Sequence, residues 1–564
     1  MLSAFRQAWV SWRTAPGVAL LAVVAFAVGI GSATAIFTVV NGVLLRPLPY
    51  PGGERFVSLY RVNTTDPGTP MRMSVPELQD YEQQTTSFDA FGWFRTGRYQ
   101  LTAPGEPQFV PGAAVTPALA RQLGPPMLGQ WFADDTSAVI SSSLWRRLGG
   151  GREIVGSVIT LDQRQYTISG VMPRTFQFPL ASLGISRGET EVWIPLNPSP
   201  PDASRGSSNN IAYARRKPGV SLEQAEAEAK RIAAAITTID PVRYQNYTAG
   251  VADLREATIG MIGASVRAPL LILLSGAGLL LLIACANVAT LMLARSVARA
   301  RETAIRVALG ASRRQLALRY FAEGALVSGA GAAAGVGLSV ILVRHILAAA
   351  SGYIPRTDDI TIDWTVLGFS VAAAVATGVL ASLAPFWQAI RLAPNAVLSE
   401  GVRASAAAPA RRLSKALVVA EIALSFTLLA TSAILVVHLH NLGRVSLGFD
   451  PDGLVVFDLT LPPRAAAAEQ ARLMDALRLT PGVAGAAFAN QLSAFCGGGG
   501  TTIHAEGRPK DALGQRVCIV RASPDFFSTM RIPIRAGRVL NESDTQREPL
   551  TVVINETAAR AAWP

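Results

Sequence analysis

The stretch Arg295–Tyr320, RSVARARETAIRVALGASRRQLALRY, decides how the rest of the chain is organised. It lies between two long apolar runs, Ala268–Leu293 and Phe321–Val343, and holds seven arginines against the single acid Glu302. Short loops with such an excess of arginine stay on the cytoplasmic side of a membrane. The pattern therefore predicts a cytoplasmic loop that joins two membrane-spanning helices.

The same loop carries a helical pattern. Ile305, Ala308 and Leu309 recur at i, i+3 and i+4, which gives one apolar face. Gly310 is predicted to end this helix before Ser312 starts the next. We therefore predict a short amphipathic helix beneath the bilayer, within reach of a cytoplasmic partner. A positive anchor that only sets the topology explains the arginines equally well, and both interpretations stay open.

The composition indicates a membrane protein. The chain has 564 residues, of which 50% are hydrophobic and only 16% charged, so it is too apolar for one soluble domain. Much of the net charge of +12 lies in short loops between apolar runs. This pattern is typical of membrane topology and argues against nucleic-acid binding. We expect the lipid bilayer, and no nucleic acid, as a partner.

Five apolar runs are long enough to cross a bilayer as helices, which needs about 20 residues. They are Val18–Val40, Ala268–Leu293, Phe321–Val343, Trp364–Ile390 and Ala416–Val437. The first run also resembles a cleavable signal peptide at Ala33–Ala35. We favour a retained anchor, because the apolar stretch continues past that point.

Basic residues give the orientation of these spans. Arg6 and Arg13 precede the first span, and residues 391–415 form a second basic loop. The loop 347–363 has one arginine against three aspartates. The rule that basic loops stay inside predicts a cytoplasmic N-terminus and external segments 41–267 and 438–564.

The first external segment mixes strand and helix signals. Residues 158–161 and 165–168 read as two strands around a tight turn. Ser221 and Gln224 form a capping box before a helix that runs to about Ile239. The mixture predicts an α+β domain.

The second external segment repeats this order of features. Residues 454–457 and 483–489 read as strands, and residues 465–479 read as a helix between them. The run Val552–Ile554 parallels Ala138–Ile140, and a short helix near a tryptophan follows in both places. We predict a duplicated unit of one span and one external domain, with an incomplete second copy. We also expect the native chain to continue beyond Pro564.

The predicted organisation is a polytopic α-helical membrane protein with two external α+β domains. Its parts are an N-terminal segment with the first span at 1–40, an external domain at 41–267, three spans at 268–390 with the loop 295–320, a cytoplasmic linker at 391–415, the fifth span at 416–437, and the second external domain at 438–564.

Several stretches resemble the MacB/FtsX-like family of ABC transporter permeases. RETAIRVALGASRRQL at 301–316 resembles the family's cytoplasmic loop. TISGVMPRTFQFP at 167–179 and KPGVSLEQAEAEAKRIAAAI at 217–236 resemble its periplasmic core domain. ASPDFFSTMRIPIRAGR at 522–538 and VVINETAARAAWP at 552–564 resemble the same domain again. The two-copy arrangement is similar to duplicated permeases of the acidobacterial type, which often lack a neighbouring ATPase.

This resemblance implies a multi-pass protein of the bacterial inner membrane that works with a separate cytoplasmic ABC ATPase. The ATPase would dock on the loop helix and drive export or extraction at the outer face. A membrane-fusion protein or a second permease copy are further partners to expect. The predicted ATPase contacts are Arg301, Glu302, Ile305, Arg306, Ala308, Leu309, Gly310 and Arg313, in which the apolar side chains supply the buried contact and the arginines a polar rim.

We expect no catalytic, cofactor-binding or metal-binding residues on this chain. The sequence contains no G-x-x-x-x-G-K-[ST] motif, so ATP is expected on the partner subunit. An alternative function is a membrane scaffold or signalling protein that relays force to a periplasmic partner without transport. A secondary transporter is disfavoured, because the spans are few and contain few polar residues.

Three smaller features leave alternatives open. Cys496 and Cys518 are both in the second external segment, where they form either a disulfide or two free thiols. Gly331 and Gly335 predict close helix packing, within the chain in preference to a dimer seam. Glu323, at the start of the third span, is interpreted as an acid that pairs with arginine or reaches the interface.

Overall fold

The computed structural model describes residues 2–64, 66–102, 107–179, 190–260, 267–349, 360–391, 403–457, 459, 466–490, 500–503, 515–545 and 551–563. The chain divides into two compact units, Met1–Leu435 and Val436–Pro564. Within the described residues, twelve α-helices lie wholly in the first unit. They are α1 Leu2–Arg13, α2 Pro16–Val40, α3 Val75–Gln84, α4 Pro117–Ala120, α5 Ser142–Arg147, α6 Leu222–Ile239, α7 Pro241–Tyr244, α8 Leu254–Gly260, α9 Arg267–Ala298, α10 Ala300–Ala308, α11 Arg313–Ala349 and α12 Trp364–Arg391.

Among the described residues, five helices are long and apolar enough to cross a membrane, and each covers one of the predicted spans. They are Pro16–Leu45, Arg267–Ala298, Arg313–Ala349, Trp364–Ile390 and Ser414–Gly443. The last belongs to a longer helix, Arg403–Gly443. The chain therefore has the multiple apolar spans that the sequence predicts.

Glycines bring the first and third spans into close contact. A Cβ atom on Gly331 would lie 2.5 Å from the Cβ of Phe26, and one on Gly335 would lie 3.0 Å from the backbone nitrogen of Gly31. Any larger side chain would push α2 and α11 apart. The small-residue pair on α11 thus packs within the chain, as the sequence indicates.

The α+β domain is built on a sheet of eleven strands in the order β11-β1-β10-β3-β4-β9-β6-β8-β5, with β2 beside β1 and β7 beside β3 and β8. The strands are β1 Phe56–Asn63, β2 Asp66–Met71, β3 Phe88–Thr102, β4 Gln108–Val115, β5 Leu128–Gly129, β6 Ser137–Ile140, β7 Val158–Leu161, β8 Arg164–Val171, β9 Val192–Pro195, β10 Ile211–Arg216 and β11 Tyr247–Asp253. Most neighbouring strands are antiparallel, whereas β4–β9 and β6–β8 are parallel. One core includes Leu78 of α3 and Ile232 of α6, and a second core includes Leu119 of α4.

The hairpin and the helix capping box that the sequence predicts in this domain are both present. The predicted hairpin is β7–β8, whose two-residue turn has positive φ at Asp162 (49°) and Gln163 (65°). The capping box at α6 is present, because Gln224 N donates to Ser221 Oγ and Ser221 N donates to Gln224 Oε1. Both predictions are confirmed, and the domain is α+β.

The α+β domain continues directly from the first span. After α2, residues Asn41–Leu45 form one π-helical turn before the chain enters the sheet. Asn41 Nδ2 donates to Asp363 Oδ2 at 3.2 Å, and Asp363 caps the start of α12 by accepting from Val366 N at 3.0 Å. Arg46 also donates to Thr361 Oγ1 at 3.4 Å. The end of α2 is thus fixed to the start of α12.

The second unit confirms the predicted helix, observed at Ala466–Arg478, and the short helix Glu556–Ala562 before Trp563. The strand predictions were wrong. Residues 454–457 and 552–554 lie outside any strand, and residues 483–489 make only the isolated bridge Ala489–Ala522. A strand exists only where a neighbour accepts and donates its hydrogen bonds, and short apolar runs do not supply that neighbour. The described strands of this unit are β12 Gly500–Ile503 and β13 Gln515–Cys518, an antiparallel pair that the sequence analysis missed.

Candidate coupling surface

The predicted loop helix exists as α10, between α9 and α11. Arg299 occupies its N-cap position. Gly310 follows the helix with φ of +91°, a conformation that favours glycine. Ser312 then starts α11 with a reciprocal capping box, in which Ser312 N donates to Gln315 Oε1 at 2.9 Å and Gln315 N donates to Ser312 Oγ at 3.3 Å. Local sequence signals therefore define the end of α10 and the start of α11, whereas the side chain of Arg299 makes no capping hydrogen bond at the start of α10.

The two faces of α10 differ in exposure. Thr303 and Ala304 are buried, at 2% and 1% exposed. Ile305 is 45% exposed and Leu309 is 83% exposed. The side chain of Ala308 lies outside the described residues. The structure therefore presents two of the three predicted apolar contact residues at the surface.

Some of the predicted polar residues form ion pairs, and others are exposed at the surface. Glu302 forms an ion pair with Arg306 at 2.7 Å within α10 and lies 3.4 Å from Arg319 of α11. The second pair fixes α10 to the third span. Arg301 and Arg313 are exposed beside the apolar residues, which suits the rim of a contact. Their role toward a partner remains a prediction.

Glu323 of α11 contacts residues of several helices. It is only 7% exposed and accepts a hydrogen bond from Ser11 Oγ at 3.0 Å. Arg319 lies 3.6 Å away and Arg299 3.8 Å away. A buried carboxylate is costly unless it is paired and hydrogen-bonded, and here it has both kinds of partner. The prediction that Glu323 pairs with arginine is confirmed.

The sequence analysis missed α1 as part of this surface. Arg295 donates to the carbonyl of Ser11 at 2.5 Å and stacks over the Trp12 ring at 4.0 Å. Arg299 donates to the hydroxyls of Ser11 and Thr14. The i, i+3, i+4 spacing of Ala8, Ser11 and Trp12, all buried, was the available signal. It was overlooked because the apolar run that starts at Val18 dominates this region.

We call this assembly of α1, α10 and the adjoining ends of α9 and α11 the arginine end. Arginines from α9, α10 and α11 converge on it, and the buried Glu323 of α11 contacts Ser11 of α1 and Arg299 at the start of α10. The arginine end presents the exposed apolar pair Ile305 and Leu309 together with exposed arginines. In the part of the chain that the structure describes, no group of three or more His, Cys, Asp or Glu residues could hold a metal ion.

The predicted cysteine pair is only partly described. Cys518 is disulfide-bonded, and Cys285 is a free cysteine buried among the spans. Cys496 lies outside the described residues, so its pairing with Cys518 stays a prediction.

Comparison with known families fits this architecture. Residues 19–232 match the MacB-like periplasmic core domain, and residues 274–394 match the FtsX-like permease C-terminal domain. Together the two matches cover more than half of the chain. The chain belongs to the MacB/FtsX-like permease family. Members of this family are membrane subunits of ABC transporters and work with a cytoplasmic ABC ATPase.

Solved structures add little to this assignment. The periplasmic region of MacB from Actinobacillus actinomycetemcomitans shares 9% identity at a TM-score of 0.27, covering 37% of this chain and 91% of that one. The extracellular domain of the noncanonic ABC-type transporter YknZ from Gram-positive bacteria shares 12% identity at a TM-score of 0.25, covering 35% and 99%. No curated protein matches this sequence.

Proposed function

We propose that this permease couples a separate cytoplasmic ATPase to its external α+β domain, and that the coupling drives export or extraction of a substrate. The proposal rests on the exposed pair Ile305 and Leu309 and on the ion pair that holds their helix against α11. A leucine that is 83% exposed at a helix end gains about 1.5–3 kcal/mol when a partner buries it. The ion pair between Glu302 and Arg319 holds α10, and with it Leu309, against α11 before docking.

The proposed route for force follows packed helices. Movement of α10 would shift α11, because Glu302 pairs with Arg319 and Arg299 lies 3.8 Å from Glu323. The third span packs along α2 through Gly331 and Gly335, so a shift of α11 would move α2. The π-helical turn Asn41–Leu45 connects α2 to the sheet, and the domain would move with it. Packed helices with close backbone contact transmit displacement because they cannot be compressed.

The proposal includes the orientation and setting of the chain. We place the arginine end in the cytoplasm and the α+β domain in the periplasm, because arginine-rich loops stay inside. The inner membrane of a bacterium is the compartment that this arrangement requires. The second unit is proposed as an incomplete copy of the first, and a membrane-fusion protein or a second permease copy as additional partners.

Purification of the tagged chain from native membranes tests the proposal. We expect an ABC ATPase with its own phosphate-binding loop to be recovered with the chain, and ATP-dependent transport once both are reconstituted. An ATPase could instead be recovered whose ATP hydrolysis responds to a periplasmic partner while no substrate is transported. This result would favour the scaffold function. Absence of any ATPase from membranes that contain the intact chain would contradict coupling.

A further inference from the structure

The contact between α1 and α9 contains buried donors without acceptors. Trp12 is 6% exposed, and its Nε1 has no hydrogen-bond partner among the described residues. Nη1 of Arg295 is also buried and, within the same described part of the chain, lacks a partner. The two groups meet directly, because the guanidinium of Arg295 stacks over the indole ring. Buried donors of this kind normally have an acceptor, so the site favours a ligand that supplies one.

The charge of the surrounding cleft identifies the kind of ligand. Arg295, Arg299 and Arg319 line the cleft together with Glu323. One carboxylate cannot neutralise three guanidinium groups, and Arg319 alone is shared with Glu302. The cleft therefore carries a surplus of positive charge beside unsatisfied donors. Arginine forks match the oxygen atoms of phosphate groups, which accept two hydrogen bonds at once.

The outer face of α1 identifies the source of the phosphate. Phe5 is 40% exposed, and Trp9 and Val10 are each 55% exposed. Arg13 stacks on the Trp9 ring at 5.6 Å, and α1 contains no acidic residue. The first apolar span starts at Pro16, directly after α1. Helices with aromatic and basic residues next to a span lie at the depth of the lipid headgroups.

We propose that the cleft lined by Arg295, Arg299 and Arg319, next to the contact between α1 and α9, binds the headgroup of an anionic phospholipid. Arg295 and Arg299 hold the phosphate, and Trp9 with Phe5 lies among the upper acyl chains. Arg299 is also the N-cap of α10, so the bound lipid fixes the start of the coupling helix. The lipid composition of the leaflet would thereby set the position of α10. This inference does not depend on the proposed ATPase.

The test uses the delipidated full chain in detergent, titrated with phosphatidylglycerol and phosphatidylcholine and followed by native mass spectrometry. We expect saturable binding of phosphatidylglycerol and weak binding of phosphatidylcholine. Arg295→Gln should weaken phosphatidylglycerol binding about fivefold, which is the contribution of one arginine near an anionic lipid surface. The matched control, Arg314→Gln, removes the same charge from an exposed position on the same loop and should leave the affinity unchanged.

Two further measurements distinguish lipid binding from the effects of misfolding and from binding of free phosphate. Trp9→Ala alters an exposed side chain and should also weaken phosphatidylglycerol binding while the melting temperature stays the same. Inorganic phosphate should not displace the lipid. Equal loss in Arg295→Gln and Arg314→Gln would overturn the site, since it would show general surface attraction. Displacement by inorganic phosphate, or full binding by Trp9→Ala, would overturn the lipid as its occupant.

Discussion

Two buried glutamates in different parts of the molecule are partnered in opposite ways. In the α+β domain, Glu77 accepts from Arg61 at 2.5 and 3.2 Å, and both side chains are less than 8% exposed. At the arginine end, Glu323 meets Arg299 and Arg319 only at 3.6–3.8 Å, and the side chain of Arg299 is 26% exposed. The first contact is closed and bidentate, whereas the second is longer and open to its surroundings.

This difference separates a fixed body from an adjustable junction. Arg61 also donates to Ser208 and lies 5.2 Å from the rings of Tyr244 and Tyr247, so its position is determined from several sides. Glu323 accepts a hydrogen bond from Ser11 at 3.0 Å but reaches its two arginines only through longer contacts. We interpret the α+β domain as a rigid lever and the arginine end as the part whose geometry can change.

Removal of the closed pair should have the largest effect. Glu77→Gln leaves the buried guanidinium of Arg61 without a counter-charge, so the α+β domain should lose about 3 kcal/mol in free energy of unfolding. Hydrogen exchange of strand β1 in the purified chain measures this loss. The double variant Arg61→Met with Glu77→Leu should recover most of it. A double variant as unstable as the single one would refute the closed-pair interpretation.

A third carboxylate, that of Glu228, makes the stability of the α+β domain depend on pH. Glu228 of α6 accepts hydrogen bonds from Thr85, Thr86 and Ser87 at 2.6–3.0 Å. Partial burial acts to raise the pKa of Glu228, but these bonds outweigh it and lower the pKa to about 2. A lowered carboxyl pKa stabilises the fold above the usual value near 4.5, and this stability is lost as the pH falls toward 2.

Glu228→Gln should therefore lower stability by about 2 kcal/mol at pH 7, the usual contribution of hydrogen bonds to a charged acceptor. The difference from the wild type should shrink as the pH falls from about 4.5 to about 2. Thermal unfolding across this pH range provides the measurement. A difference that stays constant with pH would show that the carboxylate charge does not contribute.

Disruption of the open cluster should have a smaller and more local effect. Glu323→Gln keeps a hydrogen-bond acceptor for Ser11 and leaves arginines that reach the surface, so the cost should be about 1–2 kcal/mol. Hydrogen exchange should rise in α1 and α10 and stay unchanged in β1. If β1 is destabilised as strongly as by Glu77→Gln, the two parts do not behave as a lever and a junction.

The sequence predicted those features that short-range chemistry controls. Apolar length defined the five spans, Gly310 defined the end of α10, and Ser312 defined the start of α11. The turn at Asp162 and the capping box at Ser221 follow the same logic. Each of these signals lies within a few residues of the structure that it specifies.

Long-range partners were not accessible in this way. Nothing near Ser11 in the sequence indicates a contact with Glu323, which lies 312 residues away. The sheet order likewise places β10 between β1 and β3, a pairing that depends on distant strands. The same limit explains why Val552–Ile554 was wrongly assigned as a strand, because its apolar pattern does not show whether a neighbouring strand pairs with it.

Whether α10 is the contact for an ATPase is the central claim, and one pair of substitutions tests it. Leu309→Asp places a charge at an apolar position that is 83% exposed. Val242→Asp makes the same kind of change at a position of the α+β domain that is 84% exposed. Both side chains are at the surface, so neither variant should impair folding or membrane insertion.

The measurement is the amount of ABC ATPase that is recovered with each purified variant at equal membrane insertion. We expect Leu309→Asp to reduce recovery about tenfold or more, because it removes an apolar contact and buries a charge in the partner's groove. Val242→Asp should match the wild type. Equal recovery with both variants would contradict the account and leave residues 295–320 as a topology anchor.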